Sequence, residues 1–519
     1  MTWSLIGWAI IGTVLLGLVG LTIWDRTQKK HAILRNFPII GHLRYLLEKV
    51  GPELRQYIVT GNDEERPFSR DQRRWVYSSA KGENAYFGFG TDNYLDTPNY
   101  PFIRHAVFPY DATLDGPEGS VDLTDLPAAK VIGEWRNRPK AFRPASIVNI
   151  SAMSFGALSP QAITALNRGA QLAGCMHNTG EGGISRYHRS GGDLIYQLGT
   201  GYFGARDGHG QFSIDRLLQP IDGVPVKAIE IKLSQGAKPG LGGVLPAAKV
   251  SAEIAAARGV PVGITVNSPA RHREFGDVPE MVEFIEHLAE ATGLPVGIKS
   301  AVGERGFWVQ LADHMNETGR GPDFISIDGG EGGTGAGPLA FVDHVALPFR
   351  AGFAEVYRTF AARDMHQKIV WIGAGRLGFP ADALVALSLG ADMINVAREA
   401  MLAVGCIQAQ KCHTDHCPTG VATQNPRLAR GLDPTDKSVR VSMYIRELRK
   451  ELNKLAHACG VSHPALLPDD VVEVVGEGDC LQSLWEAFGY DPAWQRLSVE
   501  QRSALVPTGL SPRGPSPSR

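Results

Sequence analysis

The longest apolar segment of the chain lies at its amino end. Residues from Trp3 to Trp24 include no charged side chain for 22 positions, and a helix of that length rises roughly 33 Å, enough to cross a bilayer. A signal peptide and a buried core helix are the alternatives, but Met1 and Thr2 carry no charged side chain and the run ends at Trp24-Asp25-Arg26 rather than at a small-residue cleavage site. Arg26, Lys29, Lys30 and Arg35 follow, so the positive-inside rule predicts a single-pass anchor in the inner (cytoplasmic) membrane, with the rest of the chain in the cytoplasm.

Between residues 145 and 430, short apolar runs rich in β-branched residues alternate with helical segments. The runs predict eight strands, at Ile147–Ile150, Met176–Asn178, Val226–Ile231, Val262–Val266, Pro295–Lys299, Phe324–Ile327, Ile369–Ile372 and Met393–Val396. The segments between them predict helices, among them Pro160–Ala173, Ala247–Arg258, Val278–Thr292 and Ala381–Leu389. Eight strand–helix units with strands apolar on both faces are typical of an α/β TIM (β/α)8 barrel, with an open doubly wound sheet as the alternative.

The rest of the chain divides around this barrel. The sequence predicts five parts: a transmembrane anchor at 1–25, an N-terminal adapter region at 26–144, the barrel with a cysteine motif at 145–430, a helical extension at 431–506 and a disordered tail at 507–519. Charge is balanced, with 52 Lys and Arg against 54 Asp and Glu, which argues against a nucleic-acid partner. Six cysteines in 519 residues are too few for a disulfide scaffold, so clustered ones are better interpreted as metal ligands.

Glycine and one polar side chain follow nearly every predicted strand. Sixty glycines let backbone N–H groups approach an anion closely, which indicates a flat, phosphate-bearing cofactor at the barrel mouth. Gly373, Gly375 and Arg376 follow the seventh strand, where TIM barrels often hold phosphate. The same residues with Gly378 formally match a dinucleotide-binding fingerprint, but no acidic residue ends a second strand about 20 positions later.

Two lysines close predicted strands. Lys232 and Lys299 each end an apolar run, and an ammonium inside a barrel mouth needs an anion or an electron-rich ring as its partner. A reduced flavin develops negative charge near N1 and O2 that such a cation stabilises. A salt-bridged structural lysine is the alternative interpretation of each.

Half of the cysteines lie within twelve residues, at Cys406, Cys412 and Cys417. Three thiolates without an obvious fourth ligand favour an iron–sulfur cluster lacking one corner over a tetrahedral zinc site. Zinc would need His413 or His416, each of which adjoins a cysteine. Cys175, Cys459 and Cys480 are isolated and are interpreted as core or surface thiols.

Successive motifs between Ile150 and Arg427 resemble the FMN-binding synthase domain of glutamate synthase. In order they are ISAMSFG, NTGEGG, QGAKPGLGG, GGTGAGP and CIQAQKCHTDHCPTGVATQNP. The resemblance implies a barrel flavoprotein with FMN and a [3Fe-4S] cluster, an oxidoreductase acting on CH–NH2 donors that converts 2-oxoglutarate and ammonia through 2-iminoglutarate to L-glutamate. Electrons from a donor would pass through the cluster to FMN. The sequence shows no NAD(P)H-binding domain, so a ferredoxin, a separate reductase subunit and a membrane quinol pathway are the alternatives for that donor.

The same resemblance assigns roles to matching positions. It implies FMN contacts at Ser154, Thr179, Gln235, Lys299, Gly332, Gly333, Gly373 and Gly375, substrate contacts at the catalytic candidates Glu181 and Lys238, and cluster ligands at Cys406, Cys412 and Cys417. Lys232 and Arg376 complete the expected cofactor-binding set from their positions after strands.

The sequence also departs from the family pattern. No amidotransferase domain with an N-terminal cysteine and no C-terminal β-helix domain are visible, so we expect no glutamine hydrolysis. Leu241 and Val244 stand where an acid and an amide are usual, and the segment Asp193–Gly204 lacks the lysine that the family carries there. Substrate identity is therefore open, and a non-catalytic electron-transfer flavoprotein subunit at the membrane is the second hypothesis. An FMN oxidase of hydroxy acids is disfavoured, since Ala397-Arg398-Glu399 offers no His-Arg pair after the last strand.

Overall fold

The computed structural model describes residues 2–112, 122–476 and 480–505. The chain divides into two compact units, Met1–Asp71 and Gln72–Arg519. Residues 72–144 of the predicted adapter thus belong to the same unit as the barrel. The predicted disordered tail, 507–519, lies outside the described residues.

The first unit is helical. It consists of α1 (Thr2–Thr27), α2 (Ala32–Asn36) and α3 (Gly41–Leu54), which continues as a π-helical turn, Arg55–Val59. Within the described residues, one segment, Leu5–Thr27, is long and apolar enough to span a membrane, with a mean hydropathy of 2.2. A signal sequence near the amino end would meet the same criterion, so the anchor stays a prediction.

The second unit contains thirteen described strands. They are β1 (Pro101–Ile103), β2 (Val148–Ile150), β3 (His177–Asn178), β4 (Leu194–Leu198), β5 (Val226–Lys232), β6 (Val244–Leu245), β7 (Val266–Asn267), β8 (Val296–Ser300), β9 (Phe324–Asp328), β10 (Val370–Ala374), β11 (Met393–Val396), β12 (Val472–Val475) and β13 (Leu481–Ser483). Its helices are α4 (Arg70–Lys81, which begins at the unit boundary), α5 (Pro160–Ala173), α6 (Ile214–Ile221), α7 (Ala252–Arg258), α8 (Val278–Thr292), α9 (Arg305–Thr318), α10 (Leu339–His344), α11 (Phe349–Ala361), α12 (Pro380–Ser388), α13 (Arg398–Val404), α14 (Pro426–Ala429), α15 (Pro434–Ala458), α16 (Leu484–Ala487) and α17 (Val499–Ser503), with 3-10 turns at Arg186–His188, Ala247–Lys249 and Pro464–Leu466.

Eight parallel strands close into a barrel in the order β2, β3, β4, β5, β8, β9, β10, β11, with β11 pairing back to β2. This confirms the predicted TIM-type architecture and excludes the open sheet. The strands are almost entirely buried because helices cover the outside and side chains fill the inside. Outside the barrel, β1, β12 and β13 form a small antiparallel sheet, and α15 packs along α5.

One predicted strand was wrong, and one barrel strand was not predicted. The predicted strand Val262–Val266 does not enter the barrel: Val262 and Ile264 are 58% and 57% exposed, and only the last residue belongs to β7, which pairs antiparallel with β6. The missing barrel strand is β4, whose five residues are all buried. This strand is apolar except for Gln197, whose amide donates to the Glu230 carboxylate inside the barrel.

Candidate active site at the carboxyl ends of the barrel strands

Glu181 and Lys232 meet at the barrel mouth. Glu181 lies just after β3, Lys232 ends β5, and Lys232 Nζ is 3.2 Å from Glu181 Oε1. A Cβ added at Gly199 or Gly243 would overlap the Glu181 carboxylate, so two loops press their bare backbone against it. This close approach fixes the carboxylate between the ends of β3, β4 and β5.

Two further cations surround that carboxylate. Lys238 is buried, and its pKa is lowered by burial and by Lys232, with Glu181 opposing the change. Arg258 is buried at the end of α7; burial lowers its pKa to about 10, so it remains charged near neutral pH. Burial alone would raise the pKa of Glu181, but Lys232, Arg258 and Lys238 together hold it below its usual value. Three cations therefore face one ionised carboxylate.

Arg258 was not among the predicted site residues. Its Nη2 donates to Ser154 Oγ and to the Phe155 carbonyl, both at 3.3 Å, and its guanidinium lies 5.1 Å from the centre of the Phe203 ring. The predicted site residues lie at strand ends, whereas this side chain reaches the mouth from a helix that follows the β5 loop. A helix-terminal arginine in sequence gives no signal of that kind.

A second ion pair lies beside the first, because Lys299 is the register partner of Lys232 on the neighbouring strand. Lys299, in β8, is buried with Nζ 3.3 Å from Asp328 Oδ2 at the end of β9, and the same oxygen accepts the Gly236 N–H at 3.1 Å. Burial lowers the pKa of Lys299, but Asp328 and Glu230 outweigh it and raise the pKa overall. Lys299 is therefore a fixed ammonium.

Glu230 lies below the mouth, inside the barrel, and was also missed. Its carboxylate accepts hydrogen bonds from Asn178 Nδ2 at 2.8 Å, Gln197 Nε2 at 2.6 Å and Ser326 Oγ at 2.8 Å. These three partners come from β3, β4 and β9. A polar network in which each partner is bonded holds the strands beneath the site in register.

Arg376 and Arg398 follow the last two barrel strands. Gly375 has a φ of 124° and Arg376 a φ of 62°, so the chain turns sharply where β10 ends. Arg398 donates to the Glu331 carbonyl, and Gly333 packs against its side chain so closely that a Cβ would overlap it. Burial lowers the pKa of Arg398; Glu399 opposes this, and the nearby Arg376 lowers it further. Two guanidiniums thus lie close together at the position where barrels bind phosphate.

The remaining predicted FMN contacts differ in how buried they are. Thr179 is fully buried; its hydroxyl donates to the Gly180 carbonyl at 3.0 Å and accepts the Gln197 N–H at 3.1 Å. Gln235 is half-buried in the loop after β5, and Gly373 packs against Phe349 and Leu377. Gly332 lies beside Asp328, where a Cβ would approach its carboxylate.

The three clustered cysteines follow α13 in one loop. Burial raises the pKa of Cys406 to about 12, and Cys412 and Cys417 raise it further; burial and the neighbouring Cys417 also raise the pKa of Cys412. For Cys417, burial opposes the change, but N–H groups of Ala422, Thr419 and Val421 and the Thr419 hydroxyl lower the pKa below its usual value. The thiols are therefore close enough to interact electrostatically, and the surroundings of Cys417 favour its thiolate form more than those of Cys406 and Cys412 do.

A buried lysine ties this loop to the barrel mouth. Lys249 Nζ donates to the carbonyls of Cys412 at 2.8 Å, Ala422 at 2.9 Å and Ala157 at 3.3 Å. Ala157 belongs to the loop after β2, and Tyr77 donates to the Cys406 carbonyl at 2.8 Å from α4. Across the described part of the chain, no three His, Cys, Asp or Glu side chains converge into a ready site for a metal ion.

Comparison with known proteins identifies the matched region. The model of the conserved region in glutamate synthase matches residues 124–462. A glutamate synthase large subunit-like protein of Bacillus subtilis is 40% identical over 85% of this chain and 89% of its own length. An archaeal glutamate synthase of Methanocaldococcus jannaschii is 34% identical over 61% of this chain and 59% of its own length, so the match spans less than two thirds of that relative.

Solved structures give a weaker likeness. A mandelate oxidase variant with a monooxide FMN adduct has a TM-score of 0.41 at 16% identity, covering 82% of this chain and 96% of its own. A flavocytochrome b2 variant with pyruvate bound has a TM-score of 0.42 at 15% identity, covering 85% and 87%. The family match, in contrast, contains all eight barrel strands and the cysteine loop.

Proposed function

Because the chain belongs to the glutamate synthase family through residues 124–462, we propose that it is an FMN- and [3Fe-4S]-dependent oxidoreductase of that kind. It reduces a 2-imino acid, formed from a 2-oxo acid and ammonia or an amine, to the amino acid. The 2-iminoglutarate made from 2-oxoglutarate is the preferred substrate, and L-glutamate is the product.

The observation that carries this proposal is the excess of positive charge at the mouth. Lys232, Lys238 and Arg258 share one carboxylate, Glu181, and buried cations in excess of anions are stabilised by an anionic ligand. A dicarboxylate supplies two negative groups. Lys238 and Arg258 are the cations best placed to bind them, because Lys232 is already paired with Glu181 at 3.2 Å.

Glu181 has a separate role in this scheme. Its depressed pKa keeps it ionised near neutral pH, so it accepts hydrogen bonds from the protonated imine nitrogen and favours the cationic, more electrophilic form of the substrate. Lys232 keeps the carboxylate oriented. The Gly199 and Gly243 backbones, packed against the carboxylate, limit the access of water to that pair.

The chain has residues that fit FMN. Arg376 and Arg398 suit its phosphate, and the fixed ammonium of Lys299 suits the pyrimidine side of the ring. Gly332 and Gly333 have no side chains of their own, which lets their backbone lie close to Asp328 and Arg398. When bound, FMN supplies hydride transfer to the imine carbon.

The cysteine loop fits a [3Fe-4S] cluster better than a single metal ion. A cluster that lacks one corner takes one thiolate per iron, and the loop supplies three cysteines whose thiols influence one another's pKa. N–H groups directed at Cys417 stabilise thiolate charge. His413 and His416 are exposed, which disfavours zinc. A ferredoxin or a reductase subunit is the expected electron donor.

We also place the protein in the inner membrane, anchored by α1 with the barrel in the cytoplasm. The apolar segment Leu5–Thr27 is long enough, and basic residues follow it. Resistance of the protein to carbonate extraction from membranes tests this anchor.

Anaerobic purification tests the cofactors. We expect one flavin per chain and about three irons, with iron lost in Cys417→Ser and retained in Cys480→Ser, whose cysteine is exposed outside the loop. Colourless protein would refute the proposal.

Stopped-flow reoxidation of the reduced flavin tests the reaction. Ammonia with 2-oxoglutarate should accelerate it well beyond ammonia with 2-oxobutyrate, which lacks the second carboxylate. Acceleration by no 2-oxo acid would favour the accessory electron-transfer subunit, a hypothesis supported by the apolar Leu241 and Val244, which are 38% and 47% exposed at the mouth.

A further inference from the structure

The helix α3 in the first unit has an apolar face that the unit leaves uncovered. Leu43, Leu46, Leu47, Val50 and Leu54 recur at the spacing of one helix face, and all five are between 37% and 57% exposed. Ile58 and Val59, in the π-helical turn that follows, are 72% and 74% exposed. A continuous exposed apolar stripe of this length marks a docking surface.

The opposite face of α3 is polar. Arg44 pairs with Glu48 at 3.1 Å, both more than half exposed, and Lys49 lies beside them. From residue 26 to residue 55 the chain has seven lysines and arginines against two glutamates. Cationic residues around an apolar helix face are the composition of helices that lie in the surface of an anionic membrane.

A buried carboxylate connects α3 to α1. Asp25, at the end of α1, is fully buried; it accepts the Ile39 N–H at 3.0 Å and bonds His42 Nε2 at 2.9 Å. Gly41 packs against Leu34 of α2, where a Cβ would lie 2.9 Å from Cδ2. The start of α3 is therefore held at the point where the apolar helix ends.

From these observations we propose that α3 and its π-helical turn form an interfacial helix, with the leucine face inserted between the headgroups and acyl chains of an anionic bilayer. The inference rests on the proposed membrane anchor. A lipid surface is favoured over a second copy of the chain because Asp25 holds the face beside the proposed membrane span and because the flanking charge is complementary to phosphatidylglycerol.

Paired cysteine substitutions in the full chain test the proposal. Leu47→Cys and Glu48→Cys are neighbours on opposite faces, and native Cys480, which is exposed, serves as an internal reference. In vesicles of phosphatidylglycerol and phosphatidylcholine at a ratio of roughly 3:7, a water-soluble maleimide should label Leu47→Cys about tenfold more slowly than Glu48→Cys. Leu46→Cys and Lys49→Cys repeat the comparison should one variant fold poorly.

Other outcomes would overturn the inference in different ways. Equal fast labelling on both faces would show that the leucines face water. Cross-linking of Leu47→Cys into dimers by a short bismaleimide would show that a second copy covers them. An intact mass lacking α1, or release by carbonate, would refute the anchor itself, whereas retained anchoring with equal labelling refutes the interfacial helix alone.

Discussion

Buried charged side chains are fully paired at one end of the barrel, whereas positive charge is in excess around Glu181 at the other end. At the amino ends of the strands, Arg138 bonds Glu286 at 2.7 Å and 3.0 Å and Asp323 at 3.0 Å and 3.2 Å. Lys130 similarly bonds Asp392 at 3.0 Å and two carbonyls. At the carboxyl ends, three cations share Glu181. Complete pairing at the amino ends of the strands, the closed end of the barrel, indicates a structural role. Unbalanced charge at the carboxyl ends, the open end, indicates a ligand-binding site.

Arg138→Met should lower the free energy of unfolding by disrupting the closed end of the barrel. The change leaves Glu286 and Asp323, both nearly fully buried, without their main partner, and removing one member of a buried ion pair costs about 3–5 kcal/mol. Denaturant unfolding measures the loss. Arg320→Met, which removes a surface pair with Glu283, serves as the control and should leave the midpoint unchanged. An equally small effect of Arg138→Met would remove the distinction between the ends.

Lys238→Met, at the open end, should weaken substrate binding without lowering stability. It removes one of three like charges, so the free energy of unfolding should stay the same or rise slightly. The KM for the anionic substrate should rise by about 10- to 100-fold, the size of one hydrogen bond to a charged group. Lys227→Met is the matched control, because Lys227 lies at the amino end of β5, beside Asp193. A large loss of stability with unchanged KM would assign Lys238 to the structure instead.

Lys299→Met should shift the potential of bound flavin. If the fixed ammonium of Lys299 stabilises the reduced ring, its removal should lower the two-electron midpoint potential by about 30 mV, equivalent to about 1.4 kcal/mol. Spectroelectrochemical titration of the loaded protein measures this, with Lys227→Met again as the control. An unchanged potential would mean that Lys299 serves Asp328 and not the cofactor.

Sequence reasoning worked best where chemistry follows a strand. Glu181, Lys232 and Lys299 lie at strand ends in sequence, and the barrel brings those ends to one mouth. It failed for Arg258, which enters from a helix, because its proximity to Ser154 is a consequence of tertiary packing across 104 positions.

The missed strand β4 was the second error of the sequence prediction. Gln197 and Glu230 are unfavourable inside a barrel taken one at a time, and their compatibility with a buried strand appears only when they bond each other at 2.6 Å. Polarity does not explain the difference, because β5 was found although it contains Lys227, Glu230 and Lys232, whereas the more apolar β4 was missed. Val262 and Ile264 have the converse property: their sequence is typical of a strand, but both are exposed.

The smallest expected effect is the pH dependence of stability that two buried histidines confer, one at each end of the barrel. Burial lowers the pKa of His272, at the open end, and of His463, which bonds the Pro127 carbonyl at the closed end, each to about 4. The folded state then binds fewer protons than the unfolded chain, whose histidines titrate near 6.5. Each histidine therefore contributes stability that is present above about pH 6.5 and lost as the pH falls towards 4.

Lowering the pH from 8 to 6 should thus reduce the free energy of unfolding by about 1 kcal/mol for each histidine, measured as the pH dependence of unfolding. His463→Gln should remove the contribution of His463 to this pH dependence, with or without a ligand at the barrel mouth. His272 differs because its Nε2 bonds the Lys232 carbonyl at 2.9 Å, and Glu181 and Lys232 act on its pKa in opposite directions. An anionic ligand at the mouth should raise the pKa of His272 and flatten its share of the slope, whereas the share of His463 should stay constant. If ligand changed both shares equally, the two ends would not be electrostatically separate, and the charge imbalance at the mouth would lose its meaning as a binding signal.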